Sequence, residues 1–166
     1  EFLDLLGTIL TNPSTTRHGE WFSAVDARSV PGPVQQPRPP FVVAAAGPRA
    51  LRLAARHGDG WVTTGAMSAD DIEAWWRSVA EMSDRFDEAL DAAGRPRDAV
   101  ARYLSLDSSP VYSLTSVEAF TDAVGRAAAL GFTDAITHWP RASSWYAGDE
   151  KVLESVAARL PRLRLS

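Results

Sequence analysis

The first residues whose types and spacing suit a binding site lie in the run from Phe41 to Val62. An apolar segment of this run ends at Ala46 and Gly47, and a segment with helical spacing follows. The first turn of a helix carries backbone N–H groups without intrahelical partners, and these groups bind anions such as phosphate. The sequence therefore predicts an anion site at Ala46 and Gly47, to which Arg49 could add a charge-assisted bond. The alternative is that Gly47 only permits a tight turn and Arg49 points to solvent.

Further candidates stand at the ends of other apolar segments. His138 and Trp139 follow the last of these segments, and a histidine there could act as an acid or base near neutral pH. We take His138 as the candidate catalytic residue and Trp139 as a residue lining its pocket. The alternative for His138 is a structural role, in which local backbone groups hold the ring. Thr63 and Thr64 end an earlier strand and could line the same site, although a threonine there is often only a satisfied hydroxyl.

Composition excludes several classes of chemistry. The chain has 166 residues and no cysteine, so a thiolate metal site and a cysteine nucleophile are absent. Its 21 acidic and 17 basic residues give a net charge of −4, which argues against a nucleic-acid partner. No apolar run reaches the roughly 18 residues of a membrane helix, so we expect a cytoplasmic protein without a membrane partner. No zinc-protease, Walker or serine-hydrolase motif occurs, and no metal site is expected.

The elements that must position these residues alternate between strand and helix. Apolar segments predict strands at 41–46, 61–64, 100–106 and 133–138. Helical spacing and end residues predict helices at 48–56, 68–93, 116–130 and 149–160. Before them, the sequence predicts a helix at 1–10, a turn at 11–16, one or two short extended segments at 21–28, and a proline-rich connector at 31–40.

Four successive strand–helix units predict a parallel sheet with right-handed crossovers. They fit an open doubly wound sheet or half of an eight-stranded barrel. The barrel is favoured because the units are uniform and because polar or small residues follow every strand, where a barrel has its active-site mouth. These residues are Gly47, Thr64-Gly65, Asp107-Ser108 and His138-Trp139.

We therefore predict an α/β fold of the (β/α)8 TIM-barrel type, of which residues 1–166 are the C-terminal half with the last four units. The helical pattern is already under way at Glu1, which is not a methionine. For this reason we expect that the N-terminal half of the barrel precedes this sequence in a longer protein.

Three segments carry a family resemblance. They are Pro-Val-Gln-Gln-Pro-Arg-Pro-Pro at 33–40, the strand–turn–helix run from Ala44 to Trp61, and Gly131-Phe-Thr-Asp followed by His138-Trp-Pro. Together they resemble the bacterial luciferase-like family of flavin-dependent oxidoreductases, over essentially the whole chain, as the C-terminal half of that family. The family often has Gly-Gly at the phosphate turn, where this chain has Ala46-Gly47. The alanine narrows the approach of a phosphate, but its N–H group remains available.

The resemblance implies a barrel that binds FMN or the deazaflavin coenzyme F420 at its C-terminal mouth, with hydride transfer or oxygen activation as the chemistry. It implies a flavin cofactor and a small-molecule substrate as partners, and we expect a homo-oligomer. The sequence does not choose between FMN and deazaflavin. The resemblance implies that the residues on the cofactor side are Ala45, Ala46, Gly47, Arg49, Thr63 and Thr64.

From the resemblance we expect the intact protein to be a luciferase-like oxidoreductase or monooxygenase, to which this chain supplies the cofactor-phosphate side of the mouth. The chain by itself is expected to bind flavin weakly and to be inactive, since the protein must orient the cofactor. Two alternatives stay open. One is a non-catalytic flavin-binding homologue, which Ala46 permits. The other is a half-barrel without activity that associates with a second copy through its open strand edges.

Overall fold

The computed structural model describes residues 1–67 and 69–159, which divide into a small unit, Glu1–Phe41, and a larger unit that begins at Val42. The small unit contains helix α1 (Phe2–Thr11) and an antiparallel pair of strands, β1 (Thr15–His18) and β2 (Ser23–Ala27). The predicted first helix is confirmed to within one residue. The turn predicted for 11–16 is shorter, because Thr15 already pairs with Ala27 across the hairpin.

The larger unit is a four-stranded parallel sheet in the order β3-β4-β5-β6. Its strands are β3 (Val42–Ala44), β4 (Gly60–Thr63), β5 (Ala101–Ser105) and β6 (Asp134–Ile136). Its helices are α2 (Pro48–His57), α3 (Ile72–Ala92), α4 (Val117–Ala129) and α5 (Glu150–Arg159). Each predicted strand is confirmed in place. Strands β3, β5 and β6 are shorter than predicted, since only their central residues pair with a neighbour, whereas β4 has the predicted length but begins one residue earlier.

Residues alternate between the two faces of this sheet. Trp61 and Leu104 are fully buried on the face that packs against the helices. Tyr103 lies on the other face, across Gly60, where an added Cβ would come within 2.8 Å of the tyrosine ring. Two apolar residues of this second face, Val42 and Ile136, are 47% and 39% exposed.

Aromatic rings of the helices and loops fill the core of the larger unit. Trp61 stacks on Phe86 of α3 with a centroid distance of 4.2 Å and on Phe132 at 5.8 Å. The adjacent pair Trp75 and Trp76 predicts one buried ring and one at a rim or subunit contact, but both rings are buried and pack edge to face. Sequence spacing did not show this, because the second ring is covered by residues distant in the chain.

One buried ion pair joins the sheet to α3. Arg102 of β5 is 5% exposed and bonds the carboxylate of Asp87, while its other nitrogen donates to Ser83 Oγ at 3.1 Å. The charged stretch around Asp87 predicts a solvated helix face, but the Asp87 side chain is only 18% exposed and pairs with this buried arginine. Its second oxygen accepts a bond from Arg97 at 2.7 Å. The helical pattern placed Asp87 among charged residues but could not reveal a buried arginine on the neighbouring strand.

The starts of the helices differ in how they are capped. Asp71 caps α3 by accepting a bond from Ala74 N at 2.7 Å, and Ser116 caps α4 by accepting from Ala119 N at 3.0 Å. Helix α2 follows Gly47 and has no side-chain cap. Ser68 and Leu160, at the ends of two predicted helices, lie outside the described residues. No helix in the described part of the chain is both long and apolar enough to cross a membrane.

Candidate functional site

The predicted site residues lie at one edge of the parallel sheet, where all four strands end. The turn at Ala46-Gly47 follows β3, and Thr63 and Thr64 lie at the end of the adjacent strand β4. His138 follows β6, at the opposite side of the sheet. Three strand spacings, about 14 Å, therefore separate the turn from His138 along this edge. The structure brings Thr63 and Thr64 beside the turn and leaves His138 apart from it.

At the turn after β3, some backbone groups already form hydrogen bonds, whereas others are exposed. The N–H of Ala45 donates to Val62 O at 3.2 Å, and its C=O accepts a bond from the Trp61 indole at 2.9 Å. Ala45 therefore fixes the strand end, whereas Ala46 and Gly47 are exposed. A Cβ built on Gly47 would meet no atom within 4 Å. The space beside this turn is open.

The first turn of α2 offers donors to that space. Pro48 has no N–H, and the first intrahelical bond runs from Leu51 N to Gly47 O at 2.9 Å. The N–H groups of Arg49 and Ala50 precede that bond and have no intrahelical acceptor. The positive end of the helix dipole and the exposed Arg49 side chain add favourable charge for an anion. These residues fit a phosphate group of a cofactor.

The two threonines at the end of β4 differ in how far they are buried. Thr63 is buried, and its hydroxyl accepts a bond from Gly65 N at 3.3 Å. Thr64 is partly exposed, and its C=O accepts a bond from the Trp75 indole at 2.9 Å. Gly65 has a φ of +62°, and a Cβ added to it would lie within 3 Å of Val79 and Trp75 atoms, so only glycine fits there. Thr63 shapes this turn, and Thr64 is the more accessible of the pair.

A buried carboxylate organises the other side of the mouth. The Asp107 side chain, just after β5, is completely shielded from solvent. Its Oδ1 accepts a bond from Ser113 N at 3.0 Å, and its Oδ2 accepts one from the Thr137 hydroxyl at 3.0 Å. The same Oδ2 accepts the backbone N–H of His138 and lies 3.1 Å from His138 Nδ1. Asp107 thus joins the loops that follow β5 and β6.

Two tyrosines also hold His138, one at its ring and one at its backbone. Its ring stacks on Tyr146 with a centroid distance of 4.1 Å and an interplanar angle of 4°. The Tyr112 hydroxyl donates to His138 O at 2.7 Å. Burial, with a smaller contribution from the Asp107 charge, raises the pKa of Tyr112, so the phenol stays a neutral donor at physiological pH. The His138 side chain nevertheless remains 44% exposed.

Trp139 lies beside His138 but turns to a different partner. Its ring is 64% exposed and its indole N–H donates to Glu150 Oε1 of α5 at 3.1 Å. The pocket-lining role of Trp139 stays a prediction. Sequence analysis placed Asp107 after a strand without giving it a function, and it missed Tyr112 altogether. The one available signal was a carboxylate directly after a buried strand.

A separate cavity of about 320 Å³ lies between α3, α4 and the loop before α4. Trp75, Trp76 and Tyr112 line it, together with Glu73 and Arg126, which form a bidentate pair with both distances at 2.7 Å. None of the predicted cofactor residues lines this cavity. It is therefore separate from the turn at Ala46-Gly47, but it borders the Asp107 side of the mouth through Tyr112 and Ser113.

Comparisons with known proteins agree with this arrangement. A family model described as luciferase-like monooxygenase matches residues 1–158. Among curated proteins, an F420-dependent glucose-6-phosphate dehydrogenase of Microbacterium testaceum (strain StLB037) is 31% identical over 100 residues, which are 60% of this chain and 27% of that protein. The chain thus spans about a quarter of that relative.

Two solved structures show the same fold. An F420-dependent secondary alcohol dehydrogenase in complex with an F420–acetone adduct matches with a TM-score of 0.65 and 14% identity, over 93% of this chain and 59% of that one. DmoA from Hyphomicrobium sulfonivorans matches with a TM-score of 0.51 and 14% identity, over 78% of this chain and 30% of that one. The predicted α/β fold of the TIM-barrel type, with a parallel sheet, is confirmed.

Proposed function

We propose, because the chain belongs to the luciferase-like monooxygenase family, that it forms the cofactor-phosphate side of the mouth of a flavin- or deazaflavin-dependent oxidoreductase. The observation that carries this proposal is the start of α2. Helices α3 and α4 are closed by Asp71 and Ser116, whereas α2 starts at an exposed glycine with no side-chain cap. A bound phosphate would take the place of that cap.

The residues at the strand ends would have different roles in binding and in catalysis. The N–H groups of Gly47, Arg49 and Ala50 would bind the phosphate, and the Arg49 guanidinium would add a charge-assisted bond. Thr64 would border the cofactor beside this turn. His138 would handle a proton at its exposed ring. When bound, a flavin or deazaflavin supplies the redox step, by accepting or donating a hydride.

We favour coenzyme F420 over FMN as the cofactor. The support is that two similar proteins, the glucose-6-phosphate dehydrogenase and the secondary alcohol dehydrogenase, are both named as F420-dependent. The same names favour dehydrogenation of a hydroxyl-bearing small molecule over oxygen insertion. The structure of this chain fits either cofactor at the phosphate, because the groups at the α2 turn recognise only the phosphate.

We also propose that the remaining strands of a barrel complete the site in a longer protein. The sheet face that carries Val42 and Ile136 is partly open, and further strands would cover it as the interior of a barrel. The chain spans 59% of the secondary alcohol dehydrogenase structure, which leaves room for such strands. The 166-residue chain is then expected to bind cofactor weakly and to have no turnover of its own.

Amide NMR of the full 166-residue chain tests the phosphate site at low affinity. On titration with coenzyme F420, and separately with FMN, the amide signals of Gly47, Arg49 and Ala50 should shift together. Gly47→Asp adds a negative charge at the turn and should abolish these shifts. Gly125→Asp is the matched control, because a Cβ at Gly125 on α4 also meets no atom within 4 Å.

Two outcomes of this titration would overturn the proposal. One is that no amide at the α2 turn shifts up to the solubility limit of either cofactor. The other is that Gly47→Asp and Gly125→Asp respond alike. Tight stoichiometric binding with turnover would contradict the narrower expectation that this chain needs further strands.

A further inference from the structure

We propose that Asp107 is a positioning residue for His138. Its carboxylate holds the imidazole as the Nδ1–H tautomer, so that Nε2 faces a bound ligand as a hydrogen-bond acceptor. The group that this acceptor recognises is a donor, a hydroxyl or N–H group of a small molecule. The ligand part rests on the proposed function, whereas the tautomer is a property of the chain alone.

The acceptor character of Asp107 determines the tautomer. Both carboxylate oxygens receive backbone N–H groups, Oδ1 from Ser113 and Oδ2 from His138. Oδ2 also accepts the Thr137 hydroxyl at 3.0 Å. An ionised carboxylate has only acceptors to offer, so the ring nitrogen 3.1 Å away must be the donor. The neutral ring then carries its lone pair on Nε2.

Every other part of His138 is already held. Its backbone N–H is bound by Asp107, its C=O accepts from Tyr112 at 2.7 Å, and its ring lies flat on Tyr146. No hydrogen bond to Nε2 occurs within the described part of the chain, and the side chain is 44% exposed. The ring is therefore fixed in position, and its Nε2 can accept a hydrogen bond from a ligand.

The competing explanation is that Asp107 only fastens two loops together. The bonds from Ser113, Thr137 and the His138 backbone would be enough for that purpose. Only the contact to Nδ1 concerns the chemistry of the ring. The two explanations differ in a measurable way, because a loop fastener does not determine which ring nitrogen of His138 carries the proton.

Imidazole NMR of the ¹⁵N-histidine-labelled full chain measures this directly. The chain has three histidines, so His138 is assigned by its loss in His138→Gln. At a pH where the ring is neutral, wild type should show the Nδ1–H pattern. Asp107→Asn removes the charged acceptor and should shift the ratio of Nδ1–H to Nε2–H forms by about tenfold toward Nε2–H. Thr137→Val keeps the carboxylate and should leave the tautomer unchanged.

A chemical probe reports whether Nε2 is accessible. Diethylpyrocarbonate attacks an unprotonated ring nitrogen, and peptide mass spectrometry locates the product. His138 should be modified readily in wild type and in Thr137→Val. The modification should fall in Asp107→Asn, because the unprotonated nitrogen then faces residue 107.

The results separate this proposal from the proposed function, since neither measurement needs a cofactor. An Nε2–H ring in wild type overturns the proposal, even if Asp107→Asn fails to fold. An unchanged tautomer in a folded Asp107→Asn variant overturns it as well. If the cofactor causes no shift of the Gly47 amide signal while His138 shows the Nδ1–H tautomer, the proposed function is refuted and the role of Asp107 is not affected.

Discussion

The two sides of the mouth differ in what their polar groups already bind. At the α2 turn, Gly47 and Arg49 are exposed, and the first N–H groups of the helix have no intrahelical acceptor. At the opposite side, Asp107 is buried and binds groups from two loops, and His138 is held at its backbone and its ring. The N–H groups at the α2 turn are available to a ligand. The donors on the opposite side already bind Asp107 and so hold the His138 side chain in place.

This difference has an energetic consequence. Groups that bind only water at the α2 turn contribute little to folding, so substitutions there should change ligand binding more than stability. Groups around Asp107 have given up water for internal bonds, and removing their acceptor leaves buried donors unsatisfied. We therefore expect stability to depend on the Asp107 side and anion affinity to depend on the α2 side.

The largest expected effect is from Asp107→Ala. It leaves the N–H groups of Ser113 and His138 without an acceptor and removes the bond from the Thr137 hydroxyl, which should lower the free energy of unfolding by about 3 kcal/mol. Urea denaturation measures this loss. Gly47→Ala is the control from the other side, and it should change stability by less than about 0.5 kcal/mol, since its Cβ has open space. Equal effects of the two substitutions would remove the contrast.

Tyr112→Phe should have the next largest effect. It removes the 2.7 Å bond to His138 O and should cost about 1 kcal/mol. It should also change the pH dependence of stability. The Tyr112 pKa is raised in the folded chain, so as pH rises past about 10 the unfolded chain loses this proton first and folding weakens.

That part of the alkaline loss should be missing in Tyr112→Phe. Urea denaturation at about pH 8 and about pH 11 provides the comparison, with wild type losing more stability between the two values. Tyr103→Phe is the matched control, because Tyr103 lies on the second face of the sheet and the bond to His138 O comes from Tyr112. A parallel loss in wild type and Tyr112→Phe would contradict the assigned cause.

Gly47→Asp should separate stability from binding. A carboxylate at this position can cap α2, as Asp71 caps α3, and should stabilise the chain by about 0.5–1 kcal/mol. The same charge should repel a phosphate from the turn. A rise in the urea midpoint with loss of the cofactor-induced amide shifts is the expected pair of results. Stabilisation with cofactor shifts unchanged would mean that the α2 turn binds no phosphate.

Arg49→Gln should give the smallest effect. The exposed guanidinium has no ion pair among the described residues, so stability should stay within experimental error. Phosphate or cofactor affinity should fall by a factor of about 2–5, as expected for one exposed charge. Arg52→Gln, one turn further along α2, is the control. An equal fall for both would show general attraction by positive charge instead of a bond from Arg49.

Local sequence patterns were sufficient for the strands and helices of the larger unit and their order, whereas strand β1 of the small unit was not predicted. Continuous apolar segments marked the strands of the sheet, and Pro48 and Gly58 bounded α2. The family resemblance, which rested on short motifs around Gly47 and His138, was confirmed by the family model. These features are predictable because helix ends, turns and strand burial depend on neighbouring residues in the chain.

The chemical environment of each side chain was decided by the tertiary structure. Asp87 and Asp107 are both carboxylates within short polar stretches, yet one pairs with Arg102 and the other holds His138. Their partners lie 15 and 31 residues away in sequence. The packing of α3 on the sheet brings the first pair into contact, and the pairing of β5 with β6 brings the second together. The sequence alone determined where the strands end and which residue types stand there. The tertiary structure decided which of those groups are left exposed and which are bound, because burial and long-range hydrogen bonds depend on neighbours that are remote in the chain.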